Sequence, residues 1–199
     1  MIYSKIIARL IRFFRSLLSI SQSANHKFQN KNQVTNADII INLLKIRKFS
    51  PFFILDVGCG YGQWTKKLLK VFPSAKYLLY DADKNNSNKL NILKKQNDNL
   101  DFKICLLSDD NKSYKFYNMG YGSSIYEELT SHERSVEEIQ STTLFEQLPF
   151  ELKNHSNNLI KLDVQGAELK VLDGLKEIIN AFEVIILEVS LHNYNKNSP

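Results

Sequence analysis

The chain has 199 residues, of which 43% are hydrophobic and 24% are charged, so its composition is that of a folded globular protein. Only seven glycines and four prolines exclude collagen-like and low-complexity proteins, and two cysteines give neither a disulfide framework nor a zinc-ligand spacing. We expect both cysteines to be reduced thiols in a cytoplasmic protein. No apolar stretch approaches the roughly 20 residues that span a bilayer.

The net charge of +5 is unevenly distributed along the chain. Residues 1–50 hold nine basic side chains and one acidic one, which leaves 17 basic and 20 acidic side chains in residues 51–199. The main part of the protein is therefore mildly acidic. It lacks the clustered Lys and Arg that a nucleic-acid backbone requires, so we expect no nucleic-acid partner.

Residues 1–20 combine basic side chains at helical spacing with a wide apolar surface, a pattern typical of a basic amphipathic helix. Arginines interrupt the apolar stretch that a signal peptide requires. Two interpretations stay open: this leader contacts the inner face of an anionic membrane, or it packs against protein, including a second copy of the chain. A polar linker completes residues 1–35, and the main domain is predicted over residues 36–199, with Asn36 capping its first helix.

From residue 51 onward, predicted strands alternate with predicted helices. Strands are expected at 52–57, 76–80, 102–107, 159–164 and 182–189, with a short extra strand at 113–117. Helices are expected at 63–72, 84–95 and 167–179. Such alternation predicts an α/β Rossmann-like fold, a mostly parallel sheet with helices on both faces, in which ligands bind at the carboxyl ends of the strands.

Three glycines follow an acidic residue at the end of the first predicted strand. Asp56 precedes Gly58, Gly60 and Gly62, a GxGxG pattern that we call the glycine turn (residues 58–62). A dinucleotide fingerprint would need its third glycine at Gln63, which disfavours a nicotinamide oxidoreductase. Glycines let a backbone approach a ligand closely, and an acid can hold an ammonium group. The turn resembles motif I of methyltransferases that use S-adenosylmethionine (SAM).

Acidic and hydroxyl residues end the next two predicted strands. Asp81 is placed to accept hydrogen bonds from a ribose diol, and Asp83 is its rival, although Asp83 also fits a helix cap. Ser108 and Asp109 are candidate adenine contacts, with an ordinary turn as the alternative. The predicted cofactor-binding residues are Asp56, Gly58, Gly60, Gly62, Asp81, Ser108 and Asp109.

The string from residue 159 to residue 174, the late block, is the most specific in the chain. It fits the pattern KxDVxGxExxxLxG through Lys161, Asp163, Val164, Gly166, Glu168, Leu172 and Gly174. Together with the early glycine turn, it resembles the FkbM family of SAM-dependent methyltransferases over roughly residues 52–190. Further matches are the Ser108-Asp109 pair, the Gly122-Ser123-Ser124 loop and Glu188.

The resemblance implies SAM as cofactor and methyl transfer to a hydroxyl group of a glycan, lipid-linked or other small-molecule acceptor. Lys161 and Asp163 are two residues apart on a strand, so they share a face, and Asp163 and Glu188 end what should be neighbouring strands. We predict Asp163, Lys161 and Glu168 as catalytic residues, with no metal. The alternatives are a structural ion pair and an acid that favours a helix start. His132 is a weaker candidate base, expected at the surface.

Two features depart from the family pattern. The acid of a TxxLD-like string is replaced by Phe145, which removes an expected contact near the acceptor pocket. Only eleven residues follow Glu188, so we expect the last two strands of the methyltransferase fold to be missing, the tail to fray and the fifth strand to be an exposed edge. Three alternatives stay open: the chain is truncated, a partner covers that edge, or the protein is a decayed homologue. A non-catalytic homologue that acts as a binding module is therefore the alternative function.

Overall fold

The computed structural model describes residues 35–189 and 195–198. The predicted leader helix and most of the predicted linker therefore lie outside the described residues. The described residues from Ile40 onward form one compact unit. Within the described ranges, no helix combines the length and the apolar character that crossing a membrane requires.

Eight strands and five α-helices are described. The strands are β1 (Phe53–Val57), β2 (Lys76–Asp81), β3 (Leu100–Ile104), β4 (Leu106–Ser108), β5 (Ser113–Asn118), β6 (Ser135–Thr143), β7 (Asn158–Leu162) and β8 (Phe182–Leu187). The α-helices are α1 (Asn36–Ile46), α2 (Gln63–Leu69), α3 (Ser87–Lys95), α4 (Leu144–Gln147) and α5 (Glu168–Asp173). Short 3-10 helices cover Lys84–Asn86, Phe150–Asn154 and Lys176–Ala181.

A five-stranded, fully parallel sheet forms the centre of the fold, in the order β3-β2-β1-β7-β8. The chain runs outward from β1 to β3 and then returns to the other side of β1. The carboxyl ends of β1 and β7 therefore meet where the strand order reverses, which is the position where open α/β sheets bind ligands. The predicted Rossmann-like fold class is confirmed.

Apolar side chains cover both faces of this sheet, because its strands are near-continuous apolar runs. On one face, Leu55 and Ile160 pack with residues of α4 and α5. On the other face, Ile54 and Leu159 pack with residues of α1, α2 and α3. The result is a sheet between two helical layers, with its carboxyl edge left for a site.

The predicted third strand, 102–107, is in fact two strands. β3 ends at Ile104, and β4 leaves the central sheet to join a second sheet in the order β4-β6-β5. The short strand predicted at 113–117 is confirmed as β5, which pairs antiparallel with β6. β6 itself was not predicted, because its sequence is charged. An antiparallel strand with one solvated face tolerates such charges.

Three predicted helix boundaries are wrong for local reasons. Thr35, not Asn36, caps α1: its hydroxyl accepts from the Asp38 N–H at 3.3 Å, while the Asp38 carboxylate accepts from the Thr35 N–H at 3.0 Å. The helix predicted at 84–95 begins with a 3-10 turn capped by Asp83. The helix predicted at 167–179 ends at Asp173, and a 3-10 helix then follows a kink in which Lys176 takes a φ of 52°.

The tail predicted to fray is held in place over residues 195–198. The Lys196 N–H donates to the Glu127 carbonyl at 2.7 Å, and the Asn195 side chain donates to the Gln165 carbonyl at 2.8 Å. Among the residues that the structure describes, no strand follows β8, which pairs with β7 alone. β8 is thus an edge of the described sheet, as expected.

Candidate functional site

The glycine turn takes a backbone shape that residues with side chains rarely adopt. Its three glycines have φ values of 71°, 54° and 77° at Gly58, Gly60 and Gly62. A Cβ at Gly58 would lie 1.9 Å from the carbonyl oxygen of Asp163, so this glycine lets the turn pass close to the end of β7. A Cβ at Gly60 would meet no heavy atom within 4 Å. The backbone at Gly60 is therefore open to a ligand.

Asp81 lies against the glycine turn, as its predicted role requires. One carboxylate oxygen accepts from the Gly60 N–H at 2.6 Å, and the other accepts from the Asp83 N–H at 2.8 Å and the Asn86 side chain at 3.1 Å. Burial raises the pKa of Asp81, and these hydrogen bonds offset part of the rise. Asp83 instead accepts from the Asn85 N–H at 2.9 Å, which matches the cap interpretation.

A buried lysine joins two acids where β1 and β7 lie side by side. Asp56 and Lys161 are register partners, and the Lys161 ammonium lies 3.0 Å from the Asp163 carboxylate and 3.7 Å from that of Asp56. The Thr65 hydroxyl donates to the second oxygen of Asp56 at 2.6 Å, and the Trp64 ring covers the ammonium at 5.6 Å. The Asp56 oxygen that faces Lys161 has no hydrogen-bond partner among the described residues.

The charges at this edge of the sheet are unbalanced. Burial raises the pKa of Asp56, with Lys161 opposing the rise. Burial would lower the pKa of Lys161, but the charges of Asp56, Asp163 and Glu188 together outweigh it and hold that pKa above its ordinary value. Glu188 directly follows β8, and burial and then the neighbouring Asp163 raise its pKa. Three carboxyl groups thus face one ammonium group.

Glu168 shapes the turn that follows β7, residues 163–168, which we call the late turn. Its buried carboxylate accepts from the Val164 N–H at 3.0 Å and from the Gly166 N–H at 3.0 Å. Gln165, between them, has a φ of 51°. Burial raises the pKa of Glu168, and the backbone hydrogen bonds offset part of the rise. These contacts favour the structural interpretation of Glu168 over the catalytic one.

Ser108 and Asp109 lie against α5 instead of the glycine turn. The Ser108 hydroxyl donates to Asp109 at 2.9 Å, and Asp109 forms an ion pair with Lys170 at 3.0 Å. A Cβ at Gly174 would lie 2.2 Å from the Ser108 carbonyl oxygen, so Gly174 lets the late block pack against β4. The adenine contact predicted for this pair stays a prediction.

Two Gly-Tyr-Gly segments meet at the glycine turn, a contact that the sequence analysis missed. The hydroxyl groups of Tyr61 and Tyr121 are 2.5 Å apart, and Gln63 also donates to Tyr61. The loop that carries Tyr121 is pinned to the late turn as well, because the buried Ser124 hydroxyl donates to the Gln165 carbonyl at 2.8 Å. The loop thus connects both turns. The repeated Gly-Tyr-Gly string was the available signal.

Other contacts had weaker signals in the sequence. Thr65, which orients Asp56, and Asn86, which orients Asp81, lie in helical segments without a motif. His132 is exposed, as expected. Phe145, which replaces the acid of the family pattern, has the ammonium groups of Lys153 and Lys176 over its ring, at 4.6 and 4.8 Å from the ring centroid. These contacts do not involve the predicted site residues. Within the described ranges, no three potential metal ligands cluster.

Residues 47–198 match the Methyltransferase FkbM domain. No curated protein sequence matches the chain. Similar solved structures include precorrin-6y C5,15-methyltransferase from Geobacter metallireducens GS-15, 11% identical over 83% of this chain and 71% of that chain, with a TM-score of 0.43. A second is the plantazolicin methyltransferase BpumL in complex with a pentazolic desmethylPZN analog and SAH, 14% identical over 87% of this chain and 52% of that chain, with a TM-score of 0.42. A third is WbdD, 22% identical over 37% of this chain and 17% of that chain, with a TM-score of 0.29.

The fold and the two turns define a Rossmann-like methyltransferase domain. The chain belongs to the FkbM methyltransferase family, because that domain matches most of its length. The open backbone at Gly60 and the excess of carboxyl groups fit a cofactor with sulfonium and ammonium charges. The chain spans only 17% of the WbdD structure and 52% of the BpumL structure that it resembles.

Proposed function

We propose that the protein transfers a methyl group from SAM to a hydroxyl group of a glycan, lipid-linked or other small-molecule acceptor. The observation that supports this proposal is the position of Asp163. Its carboxylate stands at the carboxyl end of β7, its backbone touches Gly58 of the glycine turn, and Lys161 and Glu188 flank it. An acid so placed can orient a hydroxyl group and take its proton.

When bound, SAM would supply a methyl group already activated on sulfonium, which would pass to the acceptor oxygen as sulfur leaves with the electrons of the carbon–sulfur bond. The protein must therefore align the acceptor and exclude water. The proton of the hydroxyl group passes to the Asp163 carboxylate. Asp56 and Asp81, from neighbouring strands, would hold the cofactor, and Gly60 would let its backbone approach closely.

The leader at residues 1–20 supports a lipid-linked acceptor at an anionic membrane surface. Its basic and apolar side chains suit peripheral contact with such a surface. Sedimentation with vesicles of anionic lipid tests this part. We expect the full chain to sediment and the chain without residues 1–20 to stay in the supernatant. Equal sedimentation of the two would exclude a membrane role for the leader.

Calorimetry with SAM and S-adenosylhomocysteine (SAH) tests the cofactor half of the proposal. We expect Asp81→Ala to abolish binding, because Asp81 orients the amide of Gly60, and Asp83→Ala, the matched control in the same loop, to retain it. A folded chain that binds neither ligand would favour the non-catalytic binding module.

Transfer of labelled methyl groups to a panel of glycans and lipid-linked sugars then tests the acceptor. We expect product with the methyl group on oxygen, and at least about a hundredfold slower transfer by Asp163→Asn, given the usual contribution of a general base. Methylation on nitrogen or carbon would contradict the proposed chemistry. Full activity of Asp163→Asn would contradict the role of Asp163.

A further inference from the structure

Lys161 lies within a buried parallel strand, where an ammonium group is costly unless its charge is compensated. The residue is only 8% exposed. One carboxylate would suffice for a structural ion pair, yet Lys161 lies near two, Asp163 at 3.0 Å and Asp56 at 3.7 Å. Its ammonium group therefore lies between Asp56, at the end of β1, and Asp163, the acid that we propose as the base.

Asp56 lies near the Lys161 ammonium group and is itself fixed in orientation. Thr65 fixes one oxygen of Asp56 through a 2.6 Å hydrogen bond, so the orientation of the carboxylate is set by α2. The other oxygen is buried and, in the described part of the chain, has Lys161 as its nearest cation and no hydrogen-bond donor. The arrangement is a chain of three charges that runs from Asp56 through Lys161 to Asp163.

Asp163 and Glu188 end two strands that pair in register. β7 and β8 are aligned up to Leu162 and Leu187, and the Glu188 N–H donates to the Leu162 carbonyl at 3.0 Å, which brings the two acids side by side. Two adjacent carboxyl groups share one proton unless a cation stabilises both charges.

Several charged groups face this carboxyl pair. From β1 comes Asp56, from β7 comes Lys161, and from α5 comes Glu168. Two of these three oppose ionisation of the pair. Lys161 is the group that favours it, and it opposes the rise in the pKa of Glu188.

We propose that Lys161 is the positioning residue of the methyl-transfer site: anchored by Asp56, its ammonium group pairs with the Asp163 carboxylate and holds it in place beside Glu188, so that Asp163 can take the proton of the acceptor. The catalytic meaning of this inference rests on the proposed function. The ionisation of the pair, however, can be measured without an acceptor. Lys161 acts through Asp163 and touches no reacting atom.

Carbon-13 NMR of labelled carboxyl groups in the full chain tests the inference, with the Glu188 signal followed against pH. We expect Lys161→Met to move the Glu188 midpoint up by about one pH unit or more, the usual effect of a nearby opposite charge. Lys161→Arg, which keeps the cation, should leave the midpoint near that of the wild type. Lys94→Met, which removes an exposed lysine paired with Asp101, should also leave it unchanged.

The shift should depend on Asp163. In an Asp163→Asn background, Lys161→Met should move the Glu188 midpoint less than half as far, because the charge that Lys161 compensates has been removed. A lysine whose charge acts on Glu188 independently of Asp163 would move the midpoint equally in both backgrounds. An unchanged midpoint in Lys161→Met, or an equal shift in both backgrounds, would overturn the inference.

Two controls keep the test decisive. If circular dichroism shows that Lys161→Met does not fold, Asp56→Asn serves instead. In Asp56→Asn, Asp163 is the carboxylate that remains paired with Lys161, and one negative charge near the ammonium group is gone. The midpoint of the Glu188 titration should therefore fall. A rise or no change would overturn the inference. SAH calorimetry on the same samples separates the two proposals. Absent SAH binding with the expected NMR shifts would remove the proposed function and leave the assignment of Lys161.

Discussion

The glycine turn and the late turn lie next to each other, yet they are built by opposite means. The glycine turn owes its shape to residues without side chains, which leaves open space beside its backbone at Gly60. The late turn owes its shape to a side chain, because Glu168 binds two backbone amides of its own turn. One turn is therefore shaped by backbone conformation, and the other is held by a carboxylate. The two should respond to different mutations.

The largest expected effect comes from the point where the two turns touch. Gly58→Ala would place a Cβ 1.9 Å from a backbone carbonyl oxygen of Asp163, so one of the turns must move. We expect a loss of about 4 kcal/mol or more in the free energy of unfolding, measured by urea denaturation. Gly60→Ala is the matched control, with positive φ but open space, and should cost only about 1–2 kcal/mol. Equal losses would mean that the turns are not in contact.

The late turn should be destabilised when the Glu168 carboxylate is removed. Glu168→Ala leaves the amides of Val164 and Gly166 without their acceptor, and we expect a loss of about 2–4 kcal/mol in the free energy of unfolding. Glu168→Gln keeps one acceptor oxygen and should lose less. Leu169→Ala, at the exposed neighbouring position, should change stability by less than about 0.5 kcal/mol. A Glu168→Ala protein as stable as Leu169→Ala would contradict this account of the turn.

The two turns also differ in how well the sequence predicted them. The glycine turn was predictable from the spacing of its glycines, because three alternating glycines after an apolar strand are typical of a tight turn with positive φ angles. The position of Asp81 beside the glycine turn was predictable because Asp81 ends the next strand, whereas its contact with a ribose diol stays a prediction. The late block was recognised by resemblance, but the role of Glu168 as an acceptor for its own backbone depends on the left-handed conformation at Gln165, which no composition signals.

Errors in the fold prediction have a common physical source. β6 was missed because its pairing with β5 leaves a solvated face, so a charged segment can form a strand once a partner is present. β4 was merged with β3 because both are apolar, and only the second sheet separates them. The contact between Tyr61 and Tyr121 joins residues 60 apart, which local pattern cannot reveal. Tertiary pairing decided each of these points.

The loop that connects the two turns should contribute less than either turn. Ser124→Ala removes a buried hydroxyl that donates to the Gln165 carbonyl and accepts from the Tyr126 N–H at 3.0 Å. We expect a loss of about 1–2 kcal/mol in thermal or urea unfolding. Ser123→Ala, one residue away and more exposed, should cost clearly less. The reverse order would mean that the loop is not anchored through Ser124.

The smallest effect, and the one most specific to the acidic edge, concerns the dependence of stability on pH. The pKa of Glu188 is raised in the folded protein, so its favourable contribution is present at low pH and is lost as the pH rises through that pKa. Glu188→Gln does not titrate. The unfolding free energy of the variant relative to the wild type should therefore rise between about pH 4 and pH 7, by less than about 1 kcal/mol.

An acid outside the site should behave in the opposite way. Hydrogen bonding to Lys76 lowers the pKa of Glu151, so its stabilising contribution is complete above the unfolded pKa and is lost as the pH falls through the folded pKa. Glu151→Gln should therefore lose stability relative to the wild type as the pH rises to about 5, whereas Glu188→Gln gains stability as the pH rises further. Urea unfolding at about pH 3, pH 5 and pH 7 would resolve the two signs. The same sign for both variants would mean that the edge at Glu188 is no more acidic than the rest of the surface.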